Sequence, residues 1–162
     1  MATTCTGTLI VTGSKADIRS FKQFASDGCI PLSAESFLKA PKVGRKKWCL
    51  AFWGSEEGFL ESLIEIEEDR QVQYGFTTKR TPLVAVVRSM SEQFQTLRFH
   101  YSYFELVNFY NGSITLQAGK VLDEKFEYDF ASKRLRNRLQ INWDKAKKVV
   151  RKKVPRGVSR WF

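Results

Sequence analysis

The residue types that most often carry catalysis are sparse and scattered in this chain. It has one histidine, His100, and three cysteines, Cys5, Cys29 and Cys49, which lie far apart in the sequence. A general base needs a nearby group that orients it, and a zinc site needs several ligands at close spacing. The cysteines form neither a metal-ligand pair nor a disulfide framework, so they are interpreted as small buried or half-buried residues. We therefore predict no catalytic residue, no metal site and no cofactor.

A cluster of carboxylates lies in the middle of the chain. Such a cluster could hold a magnesium ion, but a solvated acidic face is the simpler interpretation. A further interpretation is a surface that engages a basic partner, or that imitates nucleic acid toward one. The residues predicted for this surface are Glu56, Glu57, Glu61, Glu65, Glu67, Glu68 and Asp69.

The largest charge feature is the basic C-terminal end. Residues 133–162 hold twelve Lys and Arg against one acid, so they carry +11 of a whole-chain net charge of +10, and residues 1–132 carry about −1. A near-neutral body with a strongly basic end is typical of a protein that binds a polyanion. The cations could neutralise phosphates, and an aromatic ring could stack on a base. The residues predicted to bind the partner are Lys145, Lys147, Lys148, Arg151, Lys152, Lys153, Arg156, Arg160 and Trp161.

An amphipathic helix is predicted to begin at Ser132 in this basic end. Its apolar stripe could pack on the body and leave a solvated basic face, and the last residues could be a disordered solubilising tail. A basic amphipathic helix can also lie on anionic lipid. We rank nucleic acid or a nucleoprotein first among these alternatives and the membrane surface last. The stripe consists of Leu135, Leu139, Trp143, Ala146 and Val150.

The composition indicates a folded protein with one core. The chain has 162 residues, of which 43% are hydrophobic and 14% aromatic, too apolar for a disordered protein. The first residues lack the charged and apolar segments of a signal peptide, and no apolar run approaches membrane-spanning length. We expect the protein to work in a reducing cytoplasm.

The first half of the sequence predicts a strand, a helix and a hairpin. Residues 8–12 are β-branched, and Ser14 has the spacing of a helix cap before Ile18, Phe21 and Ala25. The apolar run 48–53 is predicted to be a buried strand or loop. Residues 61–78 fit either a helix or two alternating strands, and we favour the hairpin.

The second half predicts a helix followed by another hairpin. Thr81-Pro82 is typical of a helix start, and Asn111-Gly112 of a tight two-residue turn with positive φ at both positions. This order predicts an α+β fold, with an antiparallel sheet and helices on one face, of the ferredoxin-like (split βαβ) kind. We divide the chain into a body, residues 1–121, and a basic helix and tail, residues 122–162.

Several stretches of this chain resemble one protein family. They are an opening strand and helix, a tryptophan–glycine signature, a threonine–proline helix start and a hairpin. In this order they are similar to the YubB-type ferredoxin-like proteins of plasmids, phages and genomic islands, over roughly residues 7–121. The matching positions are residues 8–13 with Ile18 and Phe21, Trp48-Cys49, Phe52-Trp53-Gly54-Ser55, Phe76-Thr77-Thr78 with Pro82, Ser91, Phe94, Leu97, Tyr101, Glu105 and residues 111–119.

The resemblance implies a fold and an origin in a mobile element, and it supplies no catalytic residue. We expect a non-enzymatic accessory protein that binds a nucleic acid or a host nucleic-acid-handling complex, such as an inhibitor of CRISPR or restriction. It would need no small-molecule substrate and no membrane. The alternative is a nuclease or RNA-processing enzyme that uses His100. That alternative requires His100 to face a basic cleft with a second titratable group.

Overall fold

A computed structural model describes residues 3–107 and 110–128 of the chain. Within these ranges lie an antiparallel sheet of six strands, three α-helices and a short 3-10 helix at Ala34–Ser36, so the predicted α+β class is confirmed. The strands and helices are, in chain order, β1 Thr4–Thr12, α1 Lys15–Ala25, α2 Arg45–Phe52, β2 Leu60–Glu68, β3 Gln71–Lys79, α3 Val84–Gln93, β4 Arg98–Glu105, β5 Tyr110–Gln117 and β6 Lys120–Tyr128.

The sheet has the strand order β2-β3-β1-β4-β5-β6, and every neighbouring pair is antiparallel. Its inner face forms the core. Phe21 of α1 packs edge-on against Tyr74 of β3 and Phe99 of β4, and the backbone N–H of Leu83 donates to the hydroxyl of Tyr101 in β4. Helices α1 and α3 therefore cover the same face of the sheet, as the sequence predicted.

The first strand and helix follow the sequence pattern. Alternate residues of β1 are buried, because successive side chains of a strand point to opposite faces. The hydroxyl of Ser14 accepts a hydrogen bond from the backbone N–H of Asp17, which satisfies a donor at the start of α1. Ile18, Phe21 and Ala25 are buried along one side of this helix.

The hairpin favoured for residues 61–78 is confirmed, and the helix alternative is wrong. Strands β2 and β3 pair antiparallel around a turn at residues 69–70. β2 is the edge strand and its register is irregular, with Glu61 at a φ of 50°. Charged side chains and bulges of this kind keep an edge strand from pairing with other chains.

Two predictions for the helices need correction. Residues 48–53 do not form a strand or loop, because α2 extends to Phe52 and Trp53 caps its end. Cys49 and, one turn further on, Trp53 are buried. The predicted Thr81-Pro82 cap is also wrong. Helix α3 begins only at Val84, and the Thr81 hydroxyl instead donates to the carbonyl of Gly54.

The predicted turn at Asn111-Gly112 is wrong. Both residues lie inside β5, where they pair with Phe104 and Tyr103 of β4, and Gly112 has no positive φ. The tight two-residue turn is one strand later, between β5 and β6. There Ala118 and Gly119 have φ values of 52° and 76°, the left-handed pair that a type I′ turn requires.

Strand β6 extends the sheet past residue 121, where the sequence placed the end of the body. It pairs with β5 from Lys120 to Tyr128 and forms the edge opposite β2. The helix predicted to begin at Ser132 lies outside the described residues.

Candidate binding surfaces

The described part of the chain is electrically neutral. Residues 3–107 and 110–128 hold fifteen Lys and Arg and fifteen Asp and Glu, so the net charge of +10 comes entirely from residues 129–162. The predicted partner-binding residues, from Lys145 to Trp161, lie outside the described residues. The charge of these residues is nevertheless not uniformly distributed, because one surface of the sheet holds more cations than acids.

Most of the predicted acidic surface lies on β2 and the turn that follows it. Two of its carboxylates are paired with lysines of α1. The Glu67 carboxylate lies 2.6 Å from Nζ of Lys22, and that of Asp69 lies 3.8 Å from Nζ of Lys15. The predicted residues on this element are Glu61, Glu65, Glu67, Glu68 and Asp69. Only Glu67, Glu68 and Asp69 lie beside the start of β3, and we call these three the acidic end; Leu60, next to Glu61, pairs with Thr77 near the other end of β3.

Glu56 and Glu57 precede β2, and the structure separates Glu56 from the acidic end. Its carboxylate lies 3.0 Å from Nζ of Lys79 at the end of β3 and 3.6 Å from Nζ of Lys46 in α2. The hydrogen bond from Lys79 holds the pKa of this carboxyl below its ordinary value, and Lys46, Lys79 and Arg80 act in the same direction. Glu56 is therefore an anion inside a basic surface.

The two ends are separated by the length of a strand. Strand β3 starts beside the acidic end and finishes at Lys79, a distance of roughly 27 Å at the usual rise per residue. The basic groups around Lys79, which we call the basic pole, are therefore distant from these three acids, whereas Lys15, Arg19 and Lys22 lie beside the acids.

The surface around α2 is the basic pole, and sequence reasoning assigned it no role. The run Arg45, Lys46, Lys47 is visible in the sequence, but its proximity to Lys79 follows only from the fold, through Glu56. Arg45 also pairs with Glu35 and lies over the ring of Trp53, 5.5 Å from its centroid.

His100 lies on the outer face of the sheet, opposite to the core. It is half-buried, and its Nδ1 is 2.9 Å from Oγ1 of Thr115 on β5. Its cross-strand neighbour on β1 is Ile10. The hydrogen-bonding partner of His100 is therefore a hydroxyl group. The nuclease alternative requires a second titratable group beside His100. These contacts do not place one there.

The prediction that the cysteines are buried or half-buried is correct for two of the three. Cys5 and Cys49 are buried, and Cys29 is exposed. Burial raises the pKa of the Cys5 thiol to about 12, so this thiol is protonated at neutral pH and is a poor nucleophile. Within residues 3–107 and 110–128, no three His, Cys, Asp or Glu side chains are arranged to hold a metal ion. None of the helices in this part is long and apolar enough to cross a bilayer.

Comparison with known proteins gives one structural likeness. The chain is similar to the crystal structure of the protein api92 from Yersinia pseudotuberculosis, of the family DUF1281, with a TM-score of 0.61 and 9% sequence identity. The match covers 82% of this chain and 100% of that one, and at this identity it shows the fold alone. No family model and no curated protein matches the sequence.

Proposed function

We propose that the protein is a non-enzymatic accessory protein of a phage or plasmid. It binds a nucleic acid, or a host complex that handles nucleic acid, in the cytoplasm of a bacterial host. Inhibition of a CRISPR or restriction system is the role we assign to that binding. This origin and role rest on the resemblance to the YubB-type family. The binding activity has its own support in the charges.

The observation that carries the proposal is the separation of charge along the chain. Residues 129–162 hold twelve Lys and Arg and two acids, whereas the described residues are neutral. A protein that needed positive charge only for solubility could spread it over its surface. Concentration on one segment instead favours a partner with dense negative charge, since each phosphate that is neutralised releases counterions.

The fold that we propose in more detail is ferredoxin-like. In the order β2-β3-β1-β4, strand β3 lies between β1 and β2, which are joined through α1 and α2. In the same way β1 lies between β3 and β4, which are joined through α3. This arrangement corresponds to two interlocked split βαβ units, with β5 and β6 added at one edge. A basic C-terminal helix from Ser132 completes the proposed architecture.

Removal of residues 147–162 tests the proposal directly. The truncation deletes seven Lys and Arg and no acid, and the sheet should still fold because it lies within residues 3–128. We expect binding to a fluorescent oligonucleotide to weaken sharply. The slope of log affinity against log salt should flatten by about 0.7 to 0.9 for each phosphate that the shortened chain no longer neutralises.

The matched control keeps the chain at full length and replaces the same seven cations with glutamine. If charge drives binding, this variant will lose affinity and salt dependence as the truncation does. Unchanged affinity and slope in both variants would overturn the proposal, and the acidic end would be the next surface to mutate.

A second test separates binding from catalysis. His100→Ala removes the imidazole and its hydrogen bond to Thr115 on the outer face of the sheet. We expect the same affinity for the oligonucleotide as in the original protein, because the proposed binding residues lie in residues 145–161 and His100 is not one of them. Loss of function in a His100→Ala protein with an unchanged circular dichroism spectrum would support the nuclease alternative instead. Thr115→Ala is the matched control, since it breaks the same hydrogen bond and keeps the imidazole.

A further inference from the structure

We propose that the surface formed by α2 and the end of β3 binds single-stranded nucleic acid. This inference rests on the proposed function and adds a second contact surface, within the folded body. We call it the α2 surface. It consists of Lys39, Lys42, Arg45, Lys46, Lys47, Trp48, Phe52, Lys79 and Arg80.

The first argument is charge. Residues 39–47 include five Lys and Arg and no acid, and all five side chains are exposed. The acids that reach this surface are Glu35, which pairs with Arg45, and Glu56, which is shared by Lys46 and Lys79. More cations than acids are therefore present. Within residues 3–107 and 110–128, Lys42 and Lys47 belong to no ion pair.

The second argument is a pair of stacked rings beside these cations. The rings of Trp48 and Phe52 lie one helical turn apart on α2, with centroids 4.6 Å apart and planes inclined by 16°. Both side chains are half-buried, whereas Trp53 beneath them is buried. Partly exposed aromatic rings beside lysines are typical of surfaces that bind single strands, because every base has a face that stacks on such a ring.

The third argument is continuity with the basic C-terminal segment. Strand β6 ends at Tyr128, which pairs with Tyr110 at the start of β5. The hydroxyl of Tyr110 donates to the carbonyl of Arg80, 2.6 Å away. The chain therefore enters residues 129–162 at the basic pole and not at the acidic end. The end of β6 therefore lies at the same end of the strands as Lys79.

These features favour a single strand over a duplex. A duplex hides the faces of its bases, so it would use the lysines of the α2 surface but not the rings. An acidic protein partner would also use the lysines, but it would have no need of the exposed parts of the two rings. The bases and backbone of single-stranded RNA and DNA fit both parts of the surface.

The test measures binding of the full chain to fluorescent oligo(dT), oligo(U) and a duplex of equal length, over a range of salt. In the double variant Lys42→Ala/Lys47→Ala, the log–log salt slope for single strands should flatten by about 1.4, corresponding to two phosphate contacts. The matched control, Lys15→Ala/Arg19→Ala, removes the same charge beside the acidic end and should leave that slope unchanged. Phe52→Leu should weaken binding of the single strands at least about fivefold and leave duplex binding unchanged.

The outcomes separate this inference from the proposed function. If the full chain binds no oligonucleotide, the nucleic-acid branch of the proposed function fails and the α2 inference fails with it. If the full chain binds but the lysine pair and its control have equal slopes, the α2 inference alone is overturned. Equal losses for single strand and duplex in Phe52→Leu would overturn the choice of a single strand. A melting temperature measured for each variant shows whether it is folded, and the exposed lysine pair tests the surface even if Phe52→Leu unfolds.

Discussion

Gly112→Val is expected to lower the free energy of unfolding by about 3 kcal/mol, near the upper end of the usual cost of overpacking a core. A Cβ atom at position 112 would lie 2.6 Å from Cζ of Tyr103, in contact with its hydroxyl, and 2.8 Å from the carbonyl oxygen of Lys125. The Tyr103 ring is buried, and the carbonyl belongs to the backbone of β6, so neither can move away easily. The change is measured by urea denaturation followed by circular dichroism.

Asn111→Val is the matched control for this prediction. Asn111 is the preceding residue of β5, is exposed and points to the outer face, so a valine there meets no core atom and suits a strand. We expect its stability to stay close to that of the original protein. Equal stability of Gly112→Val and the original protein would mean that β4, β5 and β6 do not pack as described.

Gly112 also illustrates a feature that the local sequence does not reveal. Asn-Gly is a strong local turn signal, but the chain uses Gly112 because a strand on each side approaches it closely. That need depends on the register of β4 against β5, which no local pattern contains. The run that precedes it also misleads, since Leu106 and Val107 continue the apolar sequence although they are 69% and 63% exposed. Strand β4 ends before them, at Glu105.

Periodic patterns were reliable where one face of an element meets the core. The buried side of α1 and the alternation of β1 and β4 follow directly from the sequence, because burial imposes the period. The run at residues 48–53 has no such period, since Trp48, Cys49, Leu50, Phe52 and Trp53 are all apolar. Only the fold distinguishes Leu50, which is 40% exposed, from the buried Trp53.

The candidate surfaces also differ in whether the sequence alone reveals them. The acidic cluster and the basic C-terminal end are visible as charge in the sequence. The α2 surface was not predicted, because it joins Lys46 to Lys79 through Glu56, and these residues come from different elements. Conversely, the sequence groups Glu56 with the other acids, but in the structure it lies between Lys46 and Lys79. Proximity in the chain is a poor guide to which charges share a surface.

Trp53→Ala is expected to lower the free energy of unfolding by about 4 kcal/mol, as large-to-small changes of buried aromatic residues do. The Trp53 ring is 1% exposed and belongs to the hydrophobic core. Its Nε1–H donates to the carbonyl of Leu38, 2.9 Å away, so the ring also ties the end of α2 to the segment before it. The measurement is again urea denaturation, with binding of oligo(dT) recorded well below the unfolding midpoint.

Two variants show which property of Trp53 matters. Trp53→Phe keeps most of the buried ring and leaves the Leu38 carbonyl without its donor, so it should cost only about 1–2 kcal/mol. Leu50→Ala on the same helix removes a partly exposed side chain and should cost less than either change. If the α2 surface binds single strands, Trp53→Ala should also weaken oligo(dT) binding while the protein is still folded, because Arg45 lies over this ring and Trp48 packs edge-on against it. Destabilisation with unchanged oligo(dT) affinity would place the binding elsewhere and leave Trp53 as a residue of the core alone.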